Sequence, residues 1–302
     1  MTAAMPGTAT KEGFAAISDL NEIRATDPGR IRRRLALRAR RDLLGPDGRL
    51  MIVACDHPAR GSLGAAGNAM AMGSRTELLA RLVTALSRPG VDGLLATADI
   101  TEDLLLLGAL EGKVVFASMN RGGLQGSVFE VDDRQTGYDV AGVVESGLDG
   151  GKMLVRIDLD DAGTVATLEY CGQAVTELSR ARLVAMVEPF MSSRAGNKTV
   201  NDLSPDGVIR SVHIAQGLGA SSAHTWLKLP VVHEMERVMD ATTLPTLLLG
   251  GDPDGAPDET YAAWQAALKL PSVRGLVVGR TMLYPADDDV VKAVDMAVSL
   301  VR

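Results

Sequence analysis

Eight times from Leu50 onward, a short aliphatic run gives way to a longer stretch of helical periodicity. The runs are Leu50–Cys55, 92–97, 113–118, 153–157, 182–187, Thr225–Leu229, 244–249 and 275–278. The helical stretches between them include Arg75–Ser87, 162–179 and 259–268. Runs that are apolar throughout, without polar alternation, belong to strands covered on both faces, the habit of parallel sheets wrapped in helices. Eight βα units is the count at which such a sheet closes on itself. An open doubly wound sheet is the alternative. It would place a glycine-rich dinucleotide turn after the first strand, and Cys55-Asp56-His57-Pro58-Ala59-Arg60-Gly61 is not one. The expected architecture is therefore a (β/α)8 TIM barrel over residues 50–302 with an N-terminal arm and helix over 1–49.

In that extension, residues 1 to about 20 are small and polar and read as a poorly fixed arm. Asp27-Pro28 supplies an N-cap with proline at the first helical position, and the spacing predicts a helix to Leu44 that stops at Gly45-Pro46. The helix carries seven arginines, Arg30, Arg32, Arg33, Arg34, Arg38, Arg40 and Arg41. They read either as an anion or partner surface or as a solvated helix face.

With 46% apolar residues but only 3% aromatic ones, the core must be built from Val, Leu, Ala, Ile and Met. A formal charge of −7 argues against a nucleic-acid surface. No apolar run approaches the ~20 residues needed to span a bilayer, and the first residues lack a secretory pattern. A cytoplasmic protein with no membrane partner is expected. Cys55 and Cys171 form neither a disulfide framework nor a zinc spacing, and Cys55, inside an aliphatic run, reads as core.

In a closed barrel, chemistry collects where strands end and their loops begin. The polar residues at those ends are Asp56 and His57 after the first strand, Asn120 and Arg121 after the third, and Arg156 and Asp158 on the fourth. Glu188 follows the fifth strand and Lys228 sits in the sixth, inside Thr225-Trp226-Leu227-Lys228-Leu229-Pro230. A lysine in so apolar a run loses most of its hydration and is a candidate amine nucleophile. Glu188 reads as the partner of a barrel cation, or as a proton shuttle raised by desolvation. Lys152, Leu154, Arg156 and Asp158 share one face by the period of two, so Lys152 either lies in solvent at the strand base or brings a second cation near Lys228. Gly250-Gly251 after the seventh strand and Gly279-Arg280 after the eighth suit a phosphate site of bare amides and one guanidinium, or are ordinary βα turns. The chain has no His-x-His, His-Glu-x-x-His or Cys/His cluster that would suggest a metal.

Taken together, these segments resemble the class I, Schiff-base aldolases of the tagatose-bisphosphate, archaeal-type fructose-bisphosphate and deoxyribose-phosphate aldolase superfamily. The resemblance is carried by Ala54-Cys55-Asp56-His57 with Arg60-Gly61, Gly151-Lys152-Met153-Leu154 with Asp158, and Met186-Val187-Glu188. It continues through Trp226-Leu227-Lys228-Leu229-Pro230, Leu249-Gly250-Gly251 and 275–280. It implies that Lys228 forms the imine, that Lys152, Glu188 and Asp56 share the catalytic site, and that Gly250, Gly251, Gly279 and Arg280 bind phosphate. His57, Arg121 and Arg156 are further substrate-binding candidates.

The resemblance also implies a phosphorylated keto-sugar or deoxyketo-sugar acid as substrate, with dihydroxyacetone phosphate as a product. It implies no metal or other cofactor, and a homo-oligomer. Where the fructose-bisphosphate branch has a tyrosine after the fifth strand, this chain has Glu188-Pro189-Phe190. A non-catalytic sugar-phosphate-binding barrel and a metal-dependent barrel lyase or hydrolase are the alternatives.

Overall fold

The aliphatic runs become parallel strands because each is buried on both faces, one against the barrel axis and one against the surrounding helices. The structure, a computed structural model, describes residues 13–196, 198–250 and 257–302. A 3-10 turn, Ile17–Asp19, leads into α1 (Leu20–Thr26) and α2 (Gly29–Leu37). The barrel then runs β1 (Leu50–Cys55), α3 (Arg75–Ser87), β2 (Gly93–Ala96), α4 (Ala98–Leu106), β3 (Val114–Ser118), α5 (Val140–Glu145), β4 (Gly150–Ile157) and α6 (Gly163–Arg180). It continues through β5 (Val184–Ala195), β6 (Lys198–Asn201), α7 (Pro205–Gln216), β7 (Thr225–Leu229), α8 (Met235–Asp240), β8 (Thr246–Leu249) and α9 (Pro257–Ala267). It ends with β9 (Val273–Val278), α10 (Arg280–Leu283) and α11 (Val290–Val301).

All strands but β6 pair in parallel, and the β1–β9 and β4–β5 pairings close the ring in the order β1-β2-β3-β4-β5-β7-β8-β9. This is the expected (β/α)8 TIM barrel. Leu50, Ile52 and Ala54 on β1 point inward with Leu95, Phe116, Met186, Trp226, Leu247 and Val277 of the other strands. Their neighbours Met51, Val53 and Cys55 pack outward against the helices. Cys55 is core, as read from the sequence, and burial pushes its thiol well above the usual range.

Three local expectations change. The fourth strand begins at Gly150, three residues earlier than the aliphatic run suggested, because the two glycines and Lys152 all pair with β5. The fifth runs past Pro189 to Ala195, and its end folds back on β6 in an antiparallel hairpin with Ser192 opposite Asn201. Because of that hairpin, the sixth barrel strand is β7.

The third change concerns the extension. Helix α2 ends at Leu37, short of the expected Leu44, where Arg38 turns to an extended ψ of 125°. Of the expected loose arm, residues 1–12 lie outside the described residues, and the rest is held: Ala15 N–H donates to the Leu106 carbonyl, Phe14 stacks on the Arg34 guanidinium at 4.1 Å, and Leu20 is buried. Arg32, Arg33 and Arg40 are exposed, as a solvated face expects, whereas Arg34, Arg38 and Arg41 turn toward the barrel. Arg34 pairs with Glu111 at 3.1 Å, Arg41 with Asp92 at 2.7 Å, and Arg38 donates to the carbonyls of Lys113 and Gly147, both at 2.8 Å. These partners precede β2, β3 and β4, so the segment caps the N-terminal end of the barrel and leaves the C-terminal mouth open. Among the described residues no helix is long and apolar enough to cross a membrane.

Candidate active site

The parity of the strands puts four charged side chains inside the barrel at one level. On β4, Lys152 follows inward-facing Gly150; on β5, Glu188 follows inward-facing Met186; on β7, Lys228 follows Trp226; Asp56 continues the inward series of β1. Exposures of 2% for Lys152, 5% for Glu188 and Lys228, and 8% for Asp56 show how little water reaches them. The solvent alternative for Lys152 is thereby overturned.

These four side chains form a chain of contacts. Lys228 Nζ donates to Glu188 Oε1 at 2.7 Å, Lys152 Nζ lies 2.6 Å from the other oxygen, Oε2, and Lys152 Nζ also donates to Asp56 Oδ2 at 2.9 Å. Two ammonium groups face two carboxylates, so the cluster is neutral as a whole and each buried charge has an opposite neighbour, the condition under which buried ions persist.

Burial alone would raise Glu188, but Lys152 and Lys228 outweigh it and hold the carboxyl at about 2. This corrects the expectation of a carboxyl raised by desolvation. Asp56 is likewise held well below the usual carboxylate range, with burial overcome by Lys152 and His57. Lys152, which burial would lower, is instead raised by Asp56 and Glu188 and stays charged. His57 behaves differently: burial lowers it to about 4 against the opposing pull of Asp56, 3.6 Å away, so the ring is neutral at neutral pH.

The cluster forms the floor of a cavity of about 710 Å³ at the C-terminal mouth. Every residue singled out from the sequence as a site candidate lines it, apart from Gly251, which lies outside the described residues. Gly250 and Gly279 stand at the rim with Arg280, the first residue of α10. A Cβ at Gly279 would run into the Ala54 carbonyl oxygen of β1, and one at Gly250 would meet Val278 Cγ1 at 2.6 Å. Close packing of neighbouring strands thus keeps this part of the rim free of side chains. Arg121 is exposed at the mouth, donating to Thr136 Oγ1 at 3.1 Å and to the Ala59 carbonyl at 3.0 Å.

Two strand-end residues do not line the cavity. Asn120 extends the β3–β4 ladder, donating to the Leu154 carbonyl at 2.8 Å and accepting from its N–H at 2.9 Å. Asp158 closes the turn after β4, accepting from Asp160 N–H at 3.0 Å. Sequence reasoning in turn missed Asn201 at the end of the hairpin, Leu203 just beyond it, and Trp264 on α9. For the first two a signal existed: Gly196-Asn197 between two short β-prone runs is a hairpin dipeptide. Among the described residues no three His, Cys, Asp or Glu side chains converge as a metal-ligand set.

A family model described as Cgl0159-like matches residues 48–298. The crystal structure of Cgl0159 from Corynebacterium glutamicum is 58% identical and superimposes with a TM-score of 0.92, covering 94% of this chain and 96% of that one. A Schiff-base-forming fructose-1,6-bisphosphate aldolase aligns at 19% identity and TM-score 0.62 over 90% of this chain and all of the other. An archaeal fructose-1,6-bisphosphate aldolase, with its catalytic lysine bound to the carbinolamine of the substrate, aligns at 18% and 0.62 over 90% and 99%. At such identities the two aldolases bear on the fold alone. No curated protein matches the chain.

Proposed function

The chain belongs to the Cgl0159-like family, and from the side chains at its barrel mouth we propose that it is a class I aldolase. In this reading it cleaves or forms a carbon–carbon bond of a phosphorylated keto-sugar through an imine on Lys228. The observation that carries it is the buried contact of Lys228 with Glu188 at 2.7 Å, at the floor of an open cavity, with Lys152 on the other carboxylate oxygen. A lysine desolvated and hydrogen-bonded to a proton acceptor is the pairing that imine chemistry requires. The likeness in fold to two Schiff-base aldolases supports the reading.

In this reading the steps use the groups already in contact. Lys228 passes a proton to Glu188 and adds as the free amine to the substrate ketone. Protonated Glu188 returns the proton to the carbinolamine hydroxyl, which leaves as water and gives the iminium. Glu188, again a carboxylate, takes the proton of the hydroxyl on the carbon that leaves as an aldehyde, and the bonding pair moves into the iminium to form an enamine. The same carboxyl then protonates the enamine carbon, and hydrolysis frees the ketone product. Lys152 stays charged throughout and polarises substrate oxygens, while Asp56 holds Lys152 and orients hydroxyls. Gly250, Gly279 and Arg280 receive the phosphate and fix the reacting carbon by remote binding energy. The barrel over 50–302 is the catalytic unit, and residues 13–49 of the extension close its far end.

The test is borohydride reduction with dihydroxyacetone phosphate, followed by intact-mass spectrometry and peptide mapping. A stable adduct on Lys228 is expected. A folded protein that yields no adduct with dihydroxyacetone phosphate or other keto-phosphates overturns the proposal.

A further inference from the structure

His57 lines the cavity, yet no step of the imine chemistry uses it. It opens the short turn after β1, His57–Arg60, one residue beyond Asp56. Its Nδ1 is sealed from solvent, makes no hydrogen bond and lies 3.6 Å from Asp56 Oδ1, while Asp56 Oδ2 accepts from Lys152 at 2.9 Å. The side chain is nevertheless 24% exposed, and Nε2 makes no hydrogen bond to any described residue. A carboxylate beside Nδ1 favours the tautomer that carries its proton there, which leaves the lone pair on Nε2, at the edge of the ring that the cavity reaches.

The turn runs beside the proposed phosphate site. Strands β1 and β9 pair with Val53 opposite Val278, so the ends of the two strands, with Asp56 and His57 beyond one and Arg280 beyond the other, share one corner of the mouth. Arg280 Nη1 donates to the Gly64 carbonyl at 3.4 Å, on the loop that His57 opens. Arg60, at the other end of the turn, is held by Glu130 at 3.4 Å, the carboxylate that also takes Arg156 at 2.8 Å. The charges that bear on the ring are Asp56, which favours the imidazolium, and then Arg280, Lys228 and Lys152, which oppose it. Burial first, and these three cations with it, hold His57 at about 4 against the pull of Asp56, so the ring is neutral at neutral pH.

A phosphate ester bound at Arg280 reverses that balance, because it brings about two negative charges to the same corner at neutral pH. We propose that His57 belongs to the phosphate site and takes up a proton as the phosphate binds. The proton passes from solvent to Nε2. The imidazolium then donates from Nε2 to a phosphate oxygen and turns Nδ1–H to Asp56 Oδ1, so that both ring nitrogens are satisfied. The inference rests on the reading of Gly250, Gly279 and Arg280 as the phosphate site and adds its regulation. Since the bound form holds more protons than the free form, affinity for the phosphate rises as pH falls, and phosphate in turn stabilises the imidazolium.

The test uses glucitol 6-phosphate, which has the phosphate but no carbonyl, so it neither forms an imine nor is consumed. From about pH 7.5 upward the ester stays a dianion, its second ionisation lying near 6. Calorimetric titration of the whole chain at about pH 7.5, in two phosphate-free buffers of different ionisation enthalpy, should show about half a proton or more taken up per ligand bound. Affinity should fall about two-fold or more between about pH 7.5 and 9. His57→Gln should abolish the uptake, flatten that pH profile and lower affinity at the lower pH about three-fold or more. Binding without buffer dependence, or uptake that persists in the folded variant, overturns the role of His57. If the variant does not fold, the wild-type profile decides, and an affinity unchanged across that pH range overturns the proposal. No binding by the wild type overturns the phosphate site itself and His57 with it. Borohydride trapping on Lys228 is scored separately, so failure of the imine reading remains distinguishable.

Discussion

Glu188 stands one residue beyond the last register pair of β5 and β7, Val187 with Leu227, and Lys228 stands opposite it with Nζ 2.7 Å from Oε1. The contact is built from strand register alone, so neither side chain depends on a loop for its position. Adjacent inward positions on neighbouring strands bring the two groups together, and rigid strands hold them there.

Replacing Lys228 with alanine should remove the borohydride adduct and lower turnover by at least about a thousandfold, as loss of a covalent nucleophile does. The fold should survive, because Glu188 keeps Lys152 at 2.6 Å. Turnover within ten-fold of wild type, an order-of-magnitude margin, would show that no imine on Lys228 is needed.

Glu188→Gln should leave two buried ammonium groups without their shared carboxylate. Breaking a buried ion pair by removing one partner costs about 3–5 kcal/mol, so the urea midpoint should fall clearly. In whatever fraction folds, imine formation and the later proton transfers should both slow, so borohydride trapping on Lys228 should fall; trapping at the wild-type rate would remove Glu188 from imine formation.

Stability should fall with acid in two stages. His57 is held at about 4 against an ordinary 6.5, so as pH drops through that window the unfolded chain takes up a proton that the folded one refuses, and stability declines. Glu188, held at about 2 against 4.5, contributes fully above about pH 4.5 and loses its contribution as pH falls toward 2. Urea midpoints measured from pH 7 to pH 3 should show both stages, and His57→Gln should flatten the first. An unchanged first stage in that variant would place its origin elsewhere.

The arginine cap should matter to stability and not to chemistry. Arg38 is 6% exposed and donates to two carbonyls at 2.8 Å, so Arg38→Met should cost about 1.5–3 kcal/mol, the range for hydrogen bonds from charged groups. Thermal melts check the loss, and borohydride trapping on Lys228 should be unaffected.

The rim glycines should differ in tolerance. A Cβ at Gly279 meets backbone, the Ala54 carbonyl oxygen, whereas one at Gly250 meets the buried Val278 side chain, which yields more readily than the backbone of a central strand. Gly279→Ala should therefore weaken binding of glucitol 6-phosphate more than Gly250→Ala does. The reverse ranking, by calorimetry, would remove Gly279 from the phosphate site.

Much of this molecule was legible in its amino-acid order, because burial on both faces writes itself locally as an unbroken aliphatic run, and eight such runs with helices between them can close. Lys228 and Glu188 were legible for the same reason, as charges set at the ends of those runs. What one strand cannot reveal is which way its side chains face: parity offered Lys152 to the interior or to solvent, and only closure of the ring placed it between Asp56 and Glu188. That closure also decided between the two readings of Glu188 in favour of the cation partner, since two lysines distant in sequence outweigh the desolvation that a single residue suggests. The arginines of the extension look alike in sequence, yet Arg34, Arg38 and Arg41 find Glu111, Gly147 and Asp92 only because the barrel gathers its strand starts at one end. The sharing of one carboxylate by Arg60 and Arg156 is likewise a property of the assembled wall, for Glu130 lies 70 residues from one and 26 from the other. Strand and helix are dictated by neighbours along the chain; charge balance and facing are dictated by neighbours in space.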